Sequence, residues 1–488
     1  MRSSPLYLEP RLEPRLRSVL QATDFLHTLV DALGSPLNVV LPEQITENEE
    51  RFRAVYQRHH LSGDLYFAHK ANRSSALVRQ LAVTGAGMDV ASLAELQHVL
   101  GAGFTPDRIM ATGPKNREFL WLAARAGVIV NLDSKAELES LAELVGKYVL
   151  PRVRVMLRLS AFQAPGVKVL SRPSRFGSHV SELDTLLDAV ERHRDAVELI
   201  GVAYHLDTIG LPEKAVALET CIRVMNECQR RGLQPRAIDI GGGFGVNYLA
   251  DGGQWERYTT ELTNAVLGRR PALTWQGHGY GLRSESGTLR GALGLYPAHR
   301  PVAAEGYLDE LLSYPAPSLG RPLATLLLEN LYDLVIEPGR ALVDQCGVAL
   351  ARVLEVRHTP TGDCLVRVEM NGGDVSLEEH GVLMDPVVIP RDGSRPAPDA
   401  EAVGVYLIGN LCLEADLITR RMVFLPGLPK PGDLLAFANT AGYFMDFSAD
   451  HALQQPIARK VAAYQENGTW RWRLDEQYWP ITCTGEQS

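Results

Sequence analysis

No apolar run in the 488 residues approaches the ~20 needed to cross a bilayer. The amino-terminal stretch MRSSPLYLEPRLEPRL alternates polar and apolar residues and lacks the apolar core of a secretory signal. Cysteine is sparse: Cys221, Cys228, Cys346, Cys364, Cys412 and Cys483 show no metal-ligand spacing such as CxxC. Such usage fits a reducing compartment, and the expected location is cytoplasmic. Positive charge is in deficit, 49 Lys and Arg against 58 Asp and Glu, for a net charge of −9. Without a basic field, a phosphodiester backbone is excluded as a partner. Nor is there disordered or fibrous bias, since 45% of residues are apolar and 22% charged.

What is present is a long strand–helix alternation. The length predicts two domains. A helical lead-in over residues 1–34 and a strand at 36–41 come first. From about residue 46, eight short apolar strands alternate with helices and end with Leu334-Val335-Ile336. The pattern predicts a (β/α)8 barrel over 46–340, with a doubly wound open sheet as the other reading. Residues 244–333 are a long insert between the seventh and eighth strands, read either as a lid or binding loop or as solvated decoration. After Arg340 the texture turns to short strands broken by Gly and Pro. This predicts an all-β domain from 341–488 together with 1–45.

The barrel is organised around Leu65-Tyr66-Phe67-Ala68-His69-Lys70, a strand that delivers one lysine at its carboxyl end. A lysine there is placed for Schiff-base chemistry, although most lone lysines are solvated surface groups. Other strand ends carry Tyr204-His205-Leu206-Asp207-Thr208, Ile238-Asp239-Ile240-Gly241-Gly242-Gly243 and Glu337-Pro338-Gly339-Arg340. Taken singly these read as a satisfied histidine, a tight turn and a salt-bridged corner. Together they meet the needs of pyridoxal 5′-phosphate: an amine, N–H donors for phosphate, a flat group against the ring, and an acid at its nitrogen.

The motifs FAHKAN (67–72), GMDVAS (87–92), ATGPK (111–115), NLDSKAEL (131–138), SRFG (174–177), HLDT (205–208), DIGGGFG (239–245), EPGR (337–340), LCLEAD (411–416) and AGY (441–443) carry a resemblance. The chain resembles the fold-type III, pyridoxal-phosphate-dependent decarboxylases of the ornithine and diaminopimelate group. The resemblance implies a barrel with a carboxy-terminal β-barrel domain and a homodimer with shared active sites. It makes Lys70 the Schiff-base lysine and His205 the stacking imidazole. Glu337 is implied as partner of the pyridine nitrogen, and Asp89 and Arg158 as orienting groups. Thr208, Gly241, Gly242, Gly243, Gly339, Arg340 and Tyr443 are implied to surround the cofactor and its phosphate. Cys412 is the implied proton donor, reaching in from the partner subunit.

The departures concern the substrate. Leu413 stands where the basic-amino-acid decarboxylases carry an acid for a distal ammonium, and a usual Asp-Gly turn reads Asn371-Gly372-Gly373. The substrate residues expected are Leu413, Glu414, Asp416 and, for a carboxylate, Arg283. Asp207 replaces a usual glycine beside the phosphate region. These features lead to an amino-acid decarboxylase whose small-molecule substrate lacks a distal ammonium. The alternatives are a racemase, epimerase or other Cα reaction, and a non-catalytic cofactor-binding protein. The acid Glu337 argues against the racemases of this fold, which resemble the architecture but set an arginine against the ring nitrogen.

Overall fold

A computed structural model describes residues 5–163, 174–394 and 402–480. The chain divides into two compact units. One comprises Ile45–Gly245 with Val302–Leu342, and the other the chain up to Gln44, Val246–Pro301 and Val343–Tyr478.

The first unit is a closed barrel of eight parallel strands: β1 (Gly63–Ala68), β2 (Gly87–Val90), β3 (Ile109–Ala111), β4 (Ile129–Leu132), β5 (Val153–Ser160), β6 (Val197–Tyr204), β7 (Ala237–Asp239) and β8 (Asp333–Ile336). Each pairs with its neighbour in sequence order, and β8 returns to β1 to close the ring. Tyr66, Met110, Ile129, Met156, Ala203 and Val335 come from six different strands and pack as one buried cluster, which places them inside the barrel. The helices begin where the sequence offers caps. Ser74, Ser92, Asn116 and Ser134 accept a backbone N–H in the first turn of the helices that follow β1 to β4. Each cap is worth about 1 kcal/mol, so these strand-to-helix turns are locally specified.

The second unit is all-β with helical cover. Leu37–Val40 lies between Gly347–His358, antiparallel, and Arg459–Glu466, parallel, so the early strand joins the late sheet. The lead-in helices Pro14–Gln21 and Thr23–Leu33 bury Leu16, Val19, Leu26 and Leu29 against Leu37, Val39, Val348 and Leu350 of that sheet. The hairpin Arg459–Glu466 with Thr469–Leu474 adds strands that the sequence pattern did not predict.

The expected insert is divided between the units. Val246–Pro301, with helix Gly252–Val266 and the hairpin Leu282–Glu285/Thr288–Gly291, belongs with the sheet unit. Leu249 bridges Pro10, Thr274 bridges Arg421, and the Tyr296 N–H donates to the Gly381 carbonyl. Only Val302–Leu342 belongs with the barrel. Sequence order hides this because the pairings are remote in the chain. Among the described residues no helix is long and apolar enough to cross a membrane.

Candidate active site

Because all eight strands are parallel, their carboxyl ends meet at one end of the barrel. The register there is close: Ala203, Asp239 and Val335 lie side by side on β6, β7 and β8. His205, Gly241 and Glu337 each follow two residues later. These ends line a cavity of about 600 Å³, to which every strand contributes, among them Lys70, Ala91, Thr112, Asn131, Arg158, His205, Asp239 and Glu337.

Its polar groups hold one another. Asp89 is buried and accepts from the Thr112 hydroxyl; burial raises its pKa, while Lys70 and that hydrogen bond draw it back. Asp133 Oδ1 accepts from Arg158 Nη1 at 3.3 Å and from the Gly177 N–H at 3.1 Å, tying the guanidinium to the SRFG loop. Arg158 also lies over the Phe176 ring at 5.0 Å. His205 Nδ1 accepts the Gly242 N–H at 3.2 Å. Burial, with the cations Lys70, Lys214 and Arg158 nearby, pulls the imidazole down to about 3. The ring is therefore neutral at physiological pH, with its remaining proton on Nε2.

Asp239 and Glu337 form a pair that demands a proton. Burial and mutual repulsion raise Glu337 well above the carboxylate range, and burial raises Asp239 to about 7. Among the described residues Glu337 Oε1 and Asp239 Oδ2 meet no donor, so a shared proton or a bound N–H must satisfy them. Asp239 Oδ1 holds the Gly241 N–H at 2.8 Å, opening the glycine turn. A Cβ at Gly241 would meet the Tyr204 carbonyl at 2.6 Å, and one at Gly242 the Glu337 carbonyl at 2.7 Å. Only glycine lets the turn lie this close to β6 and β8.

Comparison with known proteins decides the family. Residues 43–289, more than half of the chain, match the model described as "Pyridoxal-dependent decarboxylase, pyridoxal binding domain". The chain belongs to the pyridoxal-dependent decarboxylases. This decarboxylase is 29% identical to an uncharacterized protein of Sinorhizobium fredii over 89% of its length and 88% of the relative's. It is 25% identical to the L-glutamyl-[BtrI acyl-carrier protein] decarboxylase of Niallia circulans, covering 86% and 87% of the two chains. Diaminopimelate decarboxylase from Helicobacter pylori, solved with L-lysine, shares the fold at a TM-score of 0.65 and 18% identity, over 92% of this chain and 95% of that one.

The enzyme's cofactor is pyridoxal 5′-phosphate, and the cavity fits it. The proton-demanding pair Asp239–Glu337 suits a pyridine N–H, and the glycine turn runs against β6 and β8 more closely than any Cβ would allow, bringing bare backbone to the strand ends. The expected barrel residues Lys70, Asp89, Arg158, His205, Thr208, Gly241, Gly242, Gly243, Glu337, Gly339 and Arg340 all lie in this unit. Thr208 Oγ1 accepts the Gly210 N–H at 3.0 Å, and Asp207 lines the cavity wall.

The other expected residues lie in the sheet unit. Cys412, Leu413 and Glu414 are exposed at the tip of the Gly409–Asp416 loop. Asp416 serves the loop itself, accepting the Gly372 N–H at 2.9 Å and the Leu411 N–H at 2.8 Å. Arg283 is exposed on its hairpin and paired with Glu285 at 2.6 Å. Tyr443 adopts φ 76° and packs beside His380 and Phe447.

Residues missed from the sequence are Thr112, Asp133, Asn131 and Asp239. All sit inside quoted motifs, but spacing does not display that Thr112 holds Asp89, that Asp133 holds Arg158, that Asp239 holds the Gly241 N–H, or that Asn131 lines the cavity.

Proposed function

We propose that this enzyme decarboxylates an α-amino acid without a distal ammonium, using Lys70 for the cofactor and Cys412 to return the proton. The observation that carries the substrate reading is the Gly409–Asp416 loop. Leu413, 55% exposed, occupies the position after the cysteine, and the carboxylate of Asp416 is spent on the Gly372 and Leu411 N–H groups. An ammonium tail taken from water needs a paired carboxylate to offset its lost hydration. Glu414 is then the one acid at the tip, flanked by exposed Leu413 and Ala415. The likeness to an enzyme acting on an L-glutamyl group supports the same direction.

When bound, pyridoxal phosphate supplies the electron sink that lets the bond between Cα and the carboxylate carbon break. Lys70 provides the amine that binds its aldehyde. The Gly241–Gly243 turn with Thr208, Gly339 and Arg340 takes the phosphate, and neutral His205 offers a flat face to the ring. Glu337, backed by Asp239, keeps a proton at the ring nitrogen. Thr112 fixes Asp89, and Asp133 fixes Arg158, so both orient without searching rotamers. Cys412 gives a proton to Cα after CO2 has left, and we assign it to the site of the partner in a homodimer. Steady-state CO2 release across lysine, ornithine, diaminopimelate, glutamate and uncharged amino acids tests the reading. The highest kcat/KM is expected for a substrate without a second amine; a diamino acid at the top of the panel overturns it.

A further inference from the structure

Lys214 lies in the first turn of helix Leu211–Arg230, next in sequence after β6, and its side chain is fully buried. That is an unfavourable place for an ammonium twice over. Burial strips its hydration, and a helix amino terminus repels a cation. Burial pulls its pKa down to about 7. Among the described residues no carboxylate pairs with it. Its ammonium donates to the Gly242 carbonyl at 2.6 Å, and its Nζ lies 5.2 and 5.4 Å from the Phe244 and Tyr307 ring centroids. A Cβ on Gly243 would sit 3.1 Å from Nζ. The ammonium thus stands directly behind the glycine turn, boxed by two rings that attract a cation. It lacks only an anion.

We propose that Lys214 is the buried counter-charge of the cofactor's phosphate, a positioning residue acting through the Gly242 peptide. Its hydrogen bond pins the Gly242 carbonyl on the side away from the bound anion, which turns the Gly243 N–H of the same planar peptide toward it. The phosphate dianion in turn supplies the negative charge that Lys214 otherwise lacks. The proposal rests on the reading that the glycine turn holds the phosphate.

The test compares dissociation constants of pyridoxal 5′-phosphate and of pyridoxal, which lacks the phosphate, by dialysis and by the visible band of the bound chromophore. Lys214→Gln keeps a donor for the Gly242 carbonyl but removes the charge; Lys214→Met removes both. Either variant is expected to weaken pyridoxal phosphate tenfold or more and to leave pyridoxal within twofold. Should Lys214→Met fail to fold, Lys214→Gln decides. An equal loss for both ligands would mark a packing role and overturn the proposal, as would no loss for either. Gly243→Ala separates the underlying reading, because its methyl intrudes on the turn at φ 85°. If Gly243→Ala reduces the preference for the phosphorylated ligand while Lys214→Gln does not, the cradle stands and the role of Lys214 falls. If neither changes that preference, both fall.

Discussion

In the barrel cavity Asp89, Arg158, His205 and Asp239 each have a fixed partner, in Thr112, Asp133, the Gly242 N–H and the Gly241 N–H respectively. At the tip of the Gly409–Asp416 loop Cys412, Leu413 and Glu414 stand exposed, and Asp416 alone is engaged. The cavity therefore invests in preorganisation, where burial moves proton affinities and removes rotamer freedom. The loop invests in variation: a braced frame presents side chains that can change without disturbing it. On the proposed reading, cofactor chemistry and substrate choice fall to parts of the chain with different tolerance to substitution.

The largest effect expected from breaking this contrast is at Lys70. Lys70→Ala should remove the group that takes the cofactor covalently, lowering CO2 release by at least about a thousandfold. Borohydride treatment should then leave no label on the peptide containing residue 70. Label retained on another lysine, with activity, would move the centre of the site elsewhere.

Much of the cavity was legible because its determinants are local. A short apolar strand followed by a capped helix repeats along the chain, and Ser74, Ser92, Asn116 and Ser134 mark each turn. The strand at 36–41 is expected with the late strands because chain termini often lie together, and Leu37–Val40 pairs there. The rest was hidden for physical reasons. Arg459–Glu466 and Thr469–Leu474 carry charged residues on an exposed face, so their alternation looks like surface. The Asn467-Gly468 turn, both residues at positive φ, was the available signal. Val246–Pro301 follows a barrel strand in chain order and reads as barrel, because its pairings with Pro10, Gly381 and Arg421 are distant in sequence. Asp239 reads as one more strand residue because nothing in the chain order says that Glu337 will lie beside it.

That pair gives the second prediction. Asp239 is raised to about 7 from an ordinary value near 4. Between those values the folded protein without cofactor holds a proton that the unfolded chain releases. The stability this contributes is fully present below pH ~4 and is lost as pH rises through ~7. The Tm of cofactor-free protein should fall from pH 5 to pH 8, on the order of a few kcal/mol in stability, and Asp239→Asn should flatten the fall. Added cofactor should reduce it too, since a ring N–H satisfies the ionised pair. A wild-type slope unchanged in Asp239→Asn would show that other groups set it.

The smallest effect on stability and the sharpest on specificity should come from the loop, where two neighbouring substitutions are expected to behave oppositely. Asp416 accepts two backbone N–H groups, and a Cβ on Gly409 would already collide with its carboxylate, so the side chain is packed into the loop's own frame. Asp416→Ala leaves those donors unsatisfied and should cost about 1–3 kcal/mol, lowering Tm and activity on every substrate alike. The Leu413 side chain is 55% exposed, and its part in the loop is made by its backbone carbonyl, which accepts the Asp416 N–H at 3.0 Å and survives substitution. Leu413→Glu should leave Tm within about a degree, because surface substitutions stay within about 0.5 kcal/mol. It also restores a carboxylate beside Cys412. With an ammonium tail now paired, kcat/KM for diaminopimelate or lysine should rise about tenfold or more, while the best uncharged substrate loses activity, a reversal of about 1–3 kcal/mol in transition-state discrimination. If Leu413→Glu changes neither substrate, the tail is read elsewhere, and Asp207 on the cavity wall is the next carboxylate to replace.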